Sequence, residues 1–260
     1  MNDFENHIKN KTVALVGPAD YLEFLDTNKN LTLINSADVV IKMNRGFDLS
    51  EKYFHLIGDR VDIFYNSLKV DCVNGGILDV EKIVKANVKH IRTYPQSDMK
   101  GIALSNLSNA KNEKTLKKIQ SLHSRGVTSS MIDCNFFTEI SLKVDCRPTT
   151  GFIAIYDILN ASPSKLYITG FNFFLGSPLK GYWGGSEPGG IEELWGLSEK
   201  EHADKVHAST RHVHKNMWKV FKTEIVPLES VSMDPIMQEI FLLEEYNKKE
   251  YDQILERYKC

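Results

Sequence analysis

An α/β fold built on a mostly parallel sheet flanked by helices is what this chain predicts, and three runs of residues predict it. Val13 to Val16, Val39 to Met43 (interrupted by Lys42) and Leu166 to Ile168 are short apolar stretches, and each is followed closely by a turn at Gly17-Pro18, Asn44-Arg45-Gly46 or Gly170. Continuous apolarity, as opposed to alternation, marks strands covered on both faces, the condition of a parallel sheet between helices. In open α/β sheets, ligands bind beyond the carboxyl ends of the strands, where tight turns bring backbone amides within reach of a phosphate. Gly17 and Asn44 both fall there. The bland alternative is that a Val-Gly step only makes a turn.

The 260 residues suffice for one large domain, and 42% hydrophobic with 25% charged residues is an ordinary globular composition. A net charge of -2 gives no general attraction to nucleic acid or anionic lipid. No apolar run approaches the roughly 20 residues of a membrane span, and none follows Met1 as a signal peptide would. A soluble, cytoplasmic protein without a transmembrane segment is therefore expected. Cys72, Cys134, Cys146 and Cys260 show no Cys-x-x-Cys spacing, so free thiols are expected, with no disulfide and no metal knuckle.

Taken in order, residues 1 to 11 are polar with Phe4 and Ile8 four apart, which predicts a short helix or arm ahead of the first strand. A polar link joins the first two apolar runs. Gly58 to Ser67 reads as a turn and a buried strand ending in polar residues, which puts Asn66 and Ser67 at another carboxyl end. Val80 to Ala86 predicts a helix, His90 to Tyr94 a strand stopped by Pro95, and Glu113 to His123 a helix. The Ser- and Asn-rich stretch 96 to 112 reads as loop. In Arg147-Pro148-Thr149-Thr150-Gly151 the threonines can cap a helix over Phe152 to Asn160, whose unpaired amides and positive dipole end face any nearby anion. Gly151 lets that anion come close. The same threonines could equally cap a purely structural helix.

Phe171 to Gly196 interleaves Gly176, Gly181, Gly184, Gly185, Gly189 and Gly190 with Tyr182, Trp183 and Trp195. Glycines permit mobility and aromatic rings stack on sugar or base faces, so about 172 to 197 reads as a lid or acceptor loop, with a packed Ω-loop as the alternative. Ser198 and Glu201 form a capping box. Val206, Thr210, Val213, Met217 and Phe221 mark one face of the helix it opens, and His207, Arg211, His214 and Trp218 lie beside them. The four histidines from 202 to 214 do not predict a metal site: no two are spaced i, i+4, and His207 and His214 stand about 10 Å apart by helical rise. Glu224 to Leu228 reads as a last strand. Ile236 to Tyr258 reads as one amphipathic terminal helix with Tyr251, Ile254, Leu255 and Tyr258 on one face.

Two of these segments together resemble the sialylmotifs of sialyltransferases. Val13 to Gly46, with Val16-Gly17, Ile34-Asn35, Asp38, Val40, Lys42 and Asn44, is similar to the large sialylmotif, a Val-Gly-Asn turn followed by an Ile-Asp/Asn, Asp, Val, Arg, Asn series. Pro148 to Phe171, with Thr150-Gly151, Tyr167 and Gly170-Phe171, is similar to the small one; Pro18 stands where the family's first turn carries Asn. The resemblance implies a Rossmann-like, single nucleotide-binding domain over residues 1 to 260, of soluble bacterial or viral type. It implies transfer of sialic acid or a related keto-sugar acid such as Kdo, with inversion, from a CMP-sugar donor to a hydroxyl of a glycan or glycolipid acceptor.

The resemblance also implies site residues. Gly17, Ala19 and Asn44 would approach the nucleotide and donor, with Pro18, Arg45, Asn66 and Ser67 in the same substrate-binding set. Thr149, Thr150 and Gly151 would hold the donor's phosphate or carboxylate. Gly170 and Phe171 would flank the cytidine, with Asn172 and Tyr182 on the substrate side. The family's base is a His followed by a Glu; no His here has that Glu, and by distance to the final strand His207 fits best, then His212, then His214. The chain contains no Asp-x-Asp, the usual metal-holding pair for sugar diphosphates, and a monophosphate leaving group can be stabilised by amides, hydroxyls and a histidine. No metal and no cofactor beyond the donor are expected. Two other readings stand beside this one: a transferase using another nucleotide donor or a phosphate substrate, and a non-catalytic nucleotide-sugar-binding protein.

Overall fold

The structure is a computed structural model that describes residues 3–47, 49, 53–68, 78–95, 113–183, 191–192 and 196–259; the side chains of 113–114, 203 and 206–209 lie outside the description. Among the described residues seven strands form one sheet: β1 Thr12–Val16, β2 Val39–Met43, β3 Ile63–Tyr65, β4 His90–Thr93, β5 Thr128–Met131, β6 Lys165–Thr169 and β7 Val231–Met233. Their order is β5-β4-β3-β2-β1-β6-β7 and every pairing is parallel. This is a Rossmann-like α/β fold. Val13 sits between Val39 on one side and Leu166 on the other, so β1 is central.

From β1 the chain steps outward strand by strand to β5, then returns across the sheet to lay β6 on the free side of β1. The strand order therefore reverses between β1 and β6. A crevice opens beyond the carboxyl ends of two strands that part in this way.

The helices begin where short polar side chains satisfy the first free amides. Helices α1 Asp3–Ile8, α2 Thr27–Ser36, α3 Phe54–Ile57, α4 Val80–Lys85 and α5 Glu113–Ser124 accompany the outward half of the sheet. Asp26 caps α2 through the Lys29 amide, and Asp79 caps α4 through the Lys82 amide. Helix α6 Cys134–Val144 starts at Asp133 and stops at Asp145, which turns left-handed at φ 52°. Helix α7 Thr150–Asn160 starts at Thr149, whose hydroxyl accepts from the Phe152 amide, and it is buried from Thr150 through Ile158. The Ser198–Glu201 capping box opens α8 Glu199–Val220, and Asp234 with Pro235 opens α9 Pro235–Leu242. Helix α10 Lys248–Tyr258 closes the described chain.

The main apolar core packs β1, β2 and β6 against α7, α9 and α10, with Val13, Ala14, Leu15, Ile41, Ile153 and Ile168 fully enclosed. A second cluster around Phe64, Ile83, Ile91 and Leu122 fills the far side of β3 and β4.

Several elements differ from expectation. The polar link after β1 holds α2, which buries only Asn30 and Ile34 and so carries little apolar period. The last strand is Val231–Met233: at the expected place α8 continues through a π-helical turn, Phe221–Ile225, because Phe221 and Ile225 recur at helical spacing and are both buried. The terminal helix is two helices broken at 243–247, with Asn247 capping the second through the Lys249 amide. Strand β5 and helix α6 carried no expectation; β5 is an edge of Thr and Ser residues whose side chains are only partly buried.

Cys134 and Cys146 are free thiols, and Cys72 and Cys260 lie outside the described residues. The stretch 96–112 and Gly184, Gly185, Gly189, Gly190 and Trp195 also lie outside them. Among the described residues no helix is long and apolar enough to cross a membrane.

Candidate functional site

A cavity of about 490 Å³ opens at the crevice beyond β1 and β6. Its floor is the contact between the two strand ends. The Gly17 amide donates to the Thr169 carbonyl at 2.8 Å, and the Ala19 amide to the Gly170 carbonyl at 3.0 Å. A Cβ on Gly17 would lie 2.2 Å from the Gly170 oxygen, and one on Gly170 would lie 2.3 Å from the Gly17 oxygen. Only glycines let the two backbones approach this closely. Beneath them the Tyr21 hydroxyl accepts from the Gly170 and Phe171 amides at 2.9 and 3.0 Å and donates to Asp234 at 2.7 Å, which fixes the turn after β6.

The start of α7 forms a second wall. Thr150 Oγ1 accepts from Asn44 Nδ2 at 2.9 Å and pairs with the Tyr94 hydroxyl at 2.8 Å, while Asn44 Oδ1 accepts from the Ser67 amide at 3.4 Å. The residues after β2, β3 and β4 are thereby tied to one helix terminus. Asn44 adopts φ 46°, a conformation asparagine tolerates better than most residues. The Ser67 hydroxyl is buried and has no hydrogen-bond partner among the described residues, so it is available to a ligand. Gly151 makes room for the Phe171 ring, whose Cε1 lies 2.4 Å from where a Cβ would stand.

Helix α8 supplies a third wall through Thr210, Val213, His214 and Met217. Met217 Sδ accepts from the Thr149 amide at 3.5 Å, so this face of α8 abuts the start of α7. His214 is buried, its Nε2 bonds Thr210 Oγ1 at 2.8 Å, and its ring stacks on Phe174 with centroids 4.1 Å apart and planes 17° from parallel.

The charge pattern is one-sided. Among the described residues no Asp or Glu lines the cavity, Arg147 is its one Lys or Arg, and Arg147 makes no ion pair. The amides of the first turn of α7, which no helix satisfies internally, add the positive end of its dipole. An anion is the complementary ligand. Nearby, burial pushes the Asp20 carboxyl up to about 6, and burial likewise raises Asp234.

Of the residues expected from the sequence, Pro18, Ala19, Asn44, Ser67, Thr149, Thr150, Gly151, Gly170, Phe171, Asn172, Tyr182 and His214 line this cavity. Gly17, Arg45 and Asn66 do not. Gly17 uses its amide within the sheet floor, Arg45 is buried in the turn after β2, and Asn66 bonds the Leu68 amide. His212 is exposed on α8 and lines nothing, and the side chain of His207 lies outside the described residues. Sequence reasoning missed Arg147, Tyr94, Phe174 and Thr210 as lining residues, while Trp183, named among the aromatic rings of the acceptor loop, also lines the cavity. Arg147 had a readable signal, a cation two residues ahead of a helix cap; Tyr94 and Phe174 had none, since both arrive through long-range packing. Among the described residues no group of His, Cys, Asp and Glu is placed to hold a metal ion. Compared with protein-family models and with curated proteins, the chain matches none.

Proposed function

We propose that this protein is an inverting glycosyltransferase that moves a sialic acid or related keto-sugar acid from a CMP-activated donor to a hydroxyl of a glycan or glycolipid, without a metal ion in the chemistry. One observation carries most of the support: the two sialylmotif-like segments, far apart in the chain, line one cavity at the point where the strand order reverses. A volume of about 490 Å³ is within the range of small-molecule sites. Among the described residues its lining of one guanidinium, one helix start and no carboxylate suits a ligand that carries phosphate and carboxylate.

The chemistry then assigns roles. As the acceptor oxygen bonds to the anomeric carbon, the bond to CMP breaks and its electron pair leaves with the phosphate. Negative charge grows there, and in this reading the amides of Thr150 and Gly151 stabilise it together with Arg147, all three residues lining the cavity. The Ser67 hydroxyl is a further donor on the same wall. The acceptor proton needs a base near neutral pKa, and His214 is the one candidate whose described side chain reaches the cavity. Phe171, packed against Gly151, offers an aromatic face for the cytosine. A soluble, cytoplasmic enzyme of bacterial or viral type is the form this reading takes.

A thermal-shift panel of CMP, CDP, UDP and GDP, followed by turnover of CMP-sialic acid and CMP-Kdo, tests the proposal. CMP is expected to stabilise the protein and at least one donor to be consumed, while His214→Ala binds CMP and keeps only a small measurable residue of the wild-type transfer rate. Stabilisation by UDP or GDP but not CMP would assign another donor. CMP binding with neither hydrolysis nor transfer would leave a non-catalytic binding protein.

A further inference from the structure

Two consecutive residues beside the cavity, Phe173 at φ 50° and Phe174 at φ 60°, occupy the left-handed region, which residues with side chains visit rarely and then mostly one at a time. Their surroundings hold them there. The Tyr246 hydroxyl donates to the Phe173 carbonyl at 2.6 Å, and the Phe173 ring stands edge-on to Phe221 and Phe241 with both centroids 5.3 Å away. Asn172 Oδ1 accepts from the Phe174 amide at 3.0 Å, and the Asn172 carbonyl accepts from the Leu175 amide at 2.9 Å. Backbone kept against its own preference by so many contacts marks a positional requirement.

The far end of the turn shows what is being positioned. Phe174 lies face to face with His214 at 4.1 Å, and Thr210, one helical turn before His214, bonds its Nε2 at 2.8 Å. The stack sets the tilt of the imidazole and the hydrogen bond sets its rotation. Both rings line the cavity, so the pair is part of its wall.

We propose that Phe174 is a positioning residue for His214, and that the strained turn 172–175 holds its ring in place so that the imidazole faces the acceptor hydroxyl. This rests on the reading of His214 as the base. In the displacement the acceptor proton passes to Nδ1 of His214, the ring nitrogen not bonded to Thr210, while the Nε2–H donates to Thr210 Oγ1, as the new carbon–oxygen bond forms and CMP departs; an imidazole free to tilt meets that proton out of line.

Three variants, Phe174→Ala, Phe174→Leu and Phe174→Tyr, separate alignment from bulk. The Ala and Leu variants should lower kcat about 10- to 100-fold while CMP affinity stays within about threefold, and Tyr, which restores a flat ring, should stay within about threefold of wild type on both. Phe174→Ala should slow a His214→Ala background no further. A wild-type kcat in Phe174→Ala, or an additional loss on the His214→Ala background, overturns the proposal. An independent readout is the His214 imidazole signal in NMR spectra of the resting protein, expected to be single and sharp in wild type and broadened or split in Phe174→Ala. An unchanged signal also overturns the proposal, whether or not the wild-type protein consumes any CMP-sugar. Absence of turnover in wild type, with the signal still perturbed in the variant, would instead remove the enzymatic reading and leave the positioning intact.

Discussion

A guanidinium that lines a cavity with no carboxylate among the described residues finds its counter-ion in the ligand, so the effect of removing it falls on binding and hardly on folding. Arg147→Ala should weaken CMP binding by about tenfold or more, in keeping with roughly 1.5–3 kcal/mol for a hydrogen bond to a charged group. Titration calorimetry measures this directly, and unchanged affinity would make Arg147 a bystander. Gly17 behaves in the opposite sense. A methyl there meets backbone oxygen at 2.2 Å, and neither strand can yield without breaking its ladder. Gly17→Ala should destabilise by more than about 3 kcal/mol in denaturant titrations, and a variant with near-native stability would show that the floor can open. Thr150→Val removes the partner of Asn44 Nδ2 and Tyr94, at about 1–3 kcal/mol, and should raise the Michaelis constant for the donor, whereas Thr150→Ser should preserve both. If Thr150→Val leaves that constant unchanged, the hydroxyl serves the fold alone. At this scale the sequence revealed residues whose neighbours in the chain explain them, such as Thr149 and Thr150 at a cap. Of the three candidate histidines it ranked last His214, which lines the cavity, because which way a helical side chain faces depends on the packing of α8 against α7.

Among elements, the pairing of β4 with β5 carries a pH dependence. His90 is fully buried, with Nδ1 and Nε2 each 2.7 Å from the hydroxyls of Thr128 and Ser130, and burial pushes its pKa down to about 3. The folded state keeps the ring neutral while the unfolded chain takes a proton near its ordinary 6.5. The stability this provides is fully present above that value and is lost as pH falls from it towards 3, by up to about 1.4 kcal/mol per pH unit. Asp20 works the other way, because its raised pKa makes protonation near 6 favour the fold. The difference in unfolding free energy between wild type and His90→Gln isolates the histidine: it should shrink on acidification below 6.5, and a difference independent of pH would contradict the assignment. Strands β1, β2 and β6 were legible because burial on both faces leaves them mostly apolar, with Lys42 the one interruption inside β2. Strand β5 was not, since an edge of threonine and serine resembles a loop. The π-helical turn after α8 was misjudged for a related reason: over five residues, helical and extended spacing cannot be told apart.

For the molecule as a whole, a ligand that fastens β1, β6, α7 and α8 together should stabilise all of them at once. If CMP binds as proposed, a concentration one hundred times its dissociation constant should add about 2.7 kcal/mol to the unfolding free energy. Stabilisation well short of this at verified saturation would show that CMP also binds the unfolded chain, or that unfolding bypasses the cavity. The parallel sheet could be anticipated from apolar runs, but the order of its strands could not, because nothing local announces that the chain will travel back from β5 to β1. That return has a consequence for synthesis. While the nascent polypeptide emerges, β1 can pair with β2 early, yet its other flank stays bare until residues 165 to 169 leave the ribosome, and Val13 must wait for Leu166. A chain halted before that point exposes an apolar edge that invites a second copy, so fragments ending near residue 145 should aggregate while the full-length polypeptide folds slowly but cleanly.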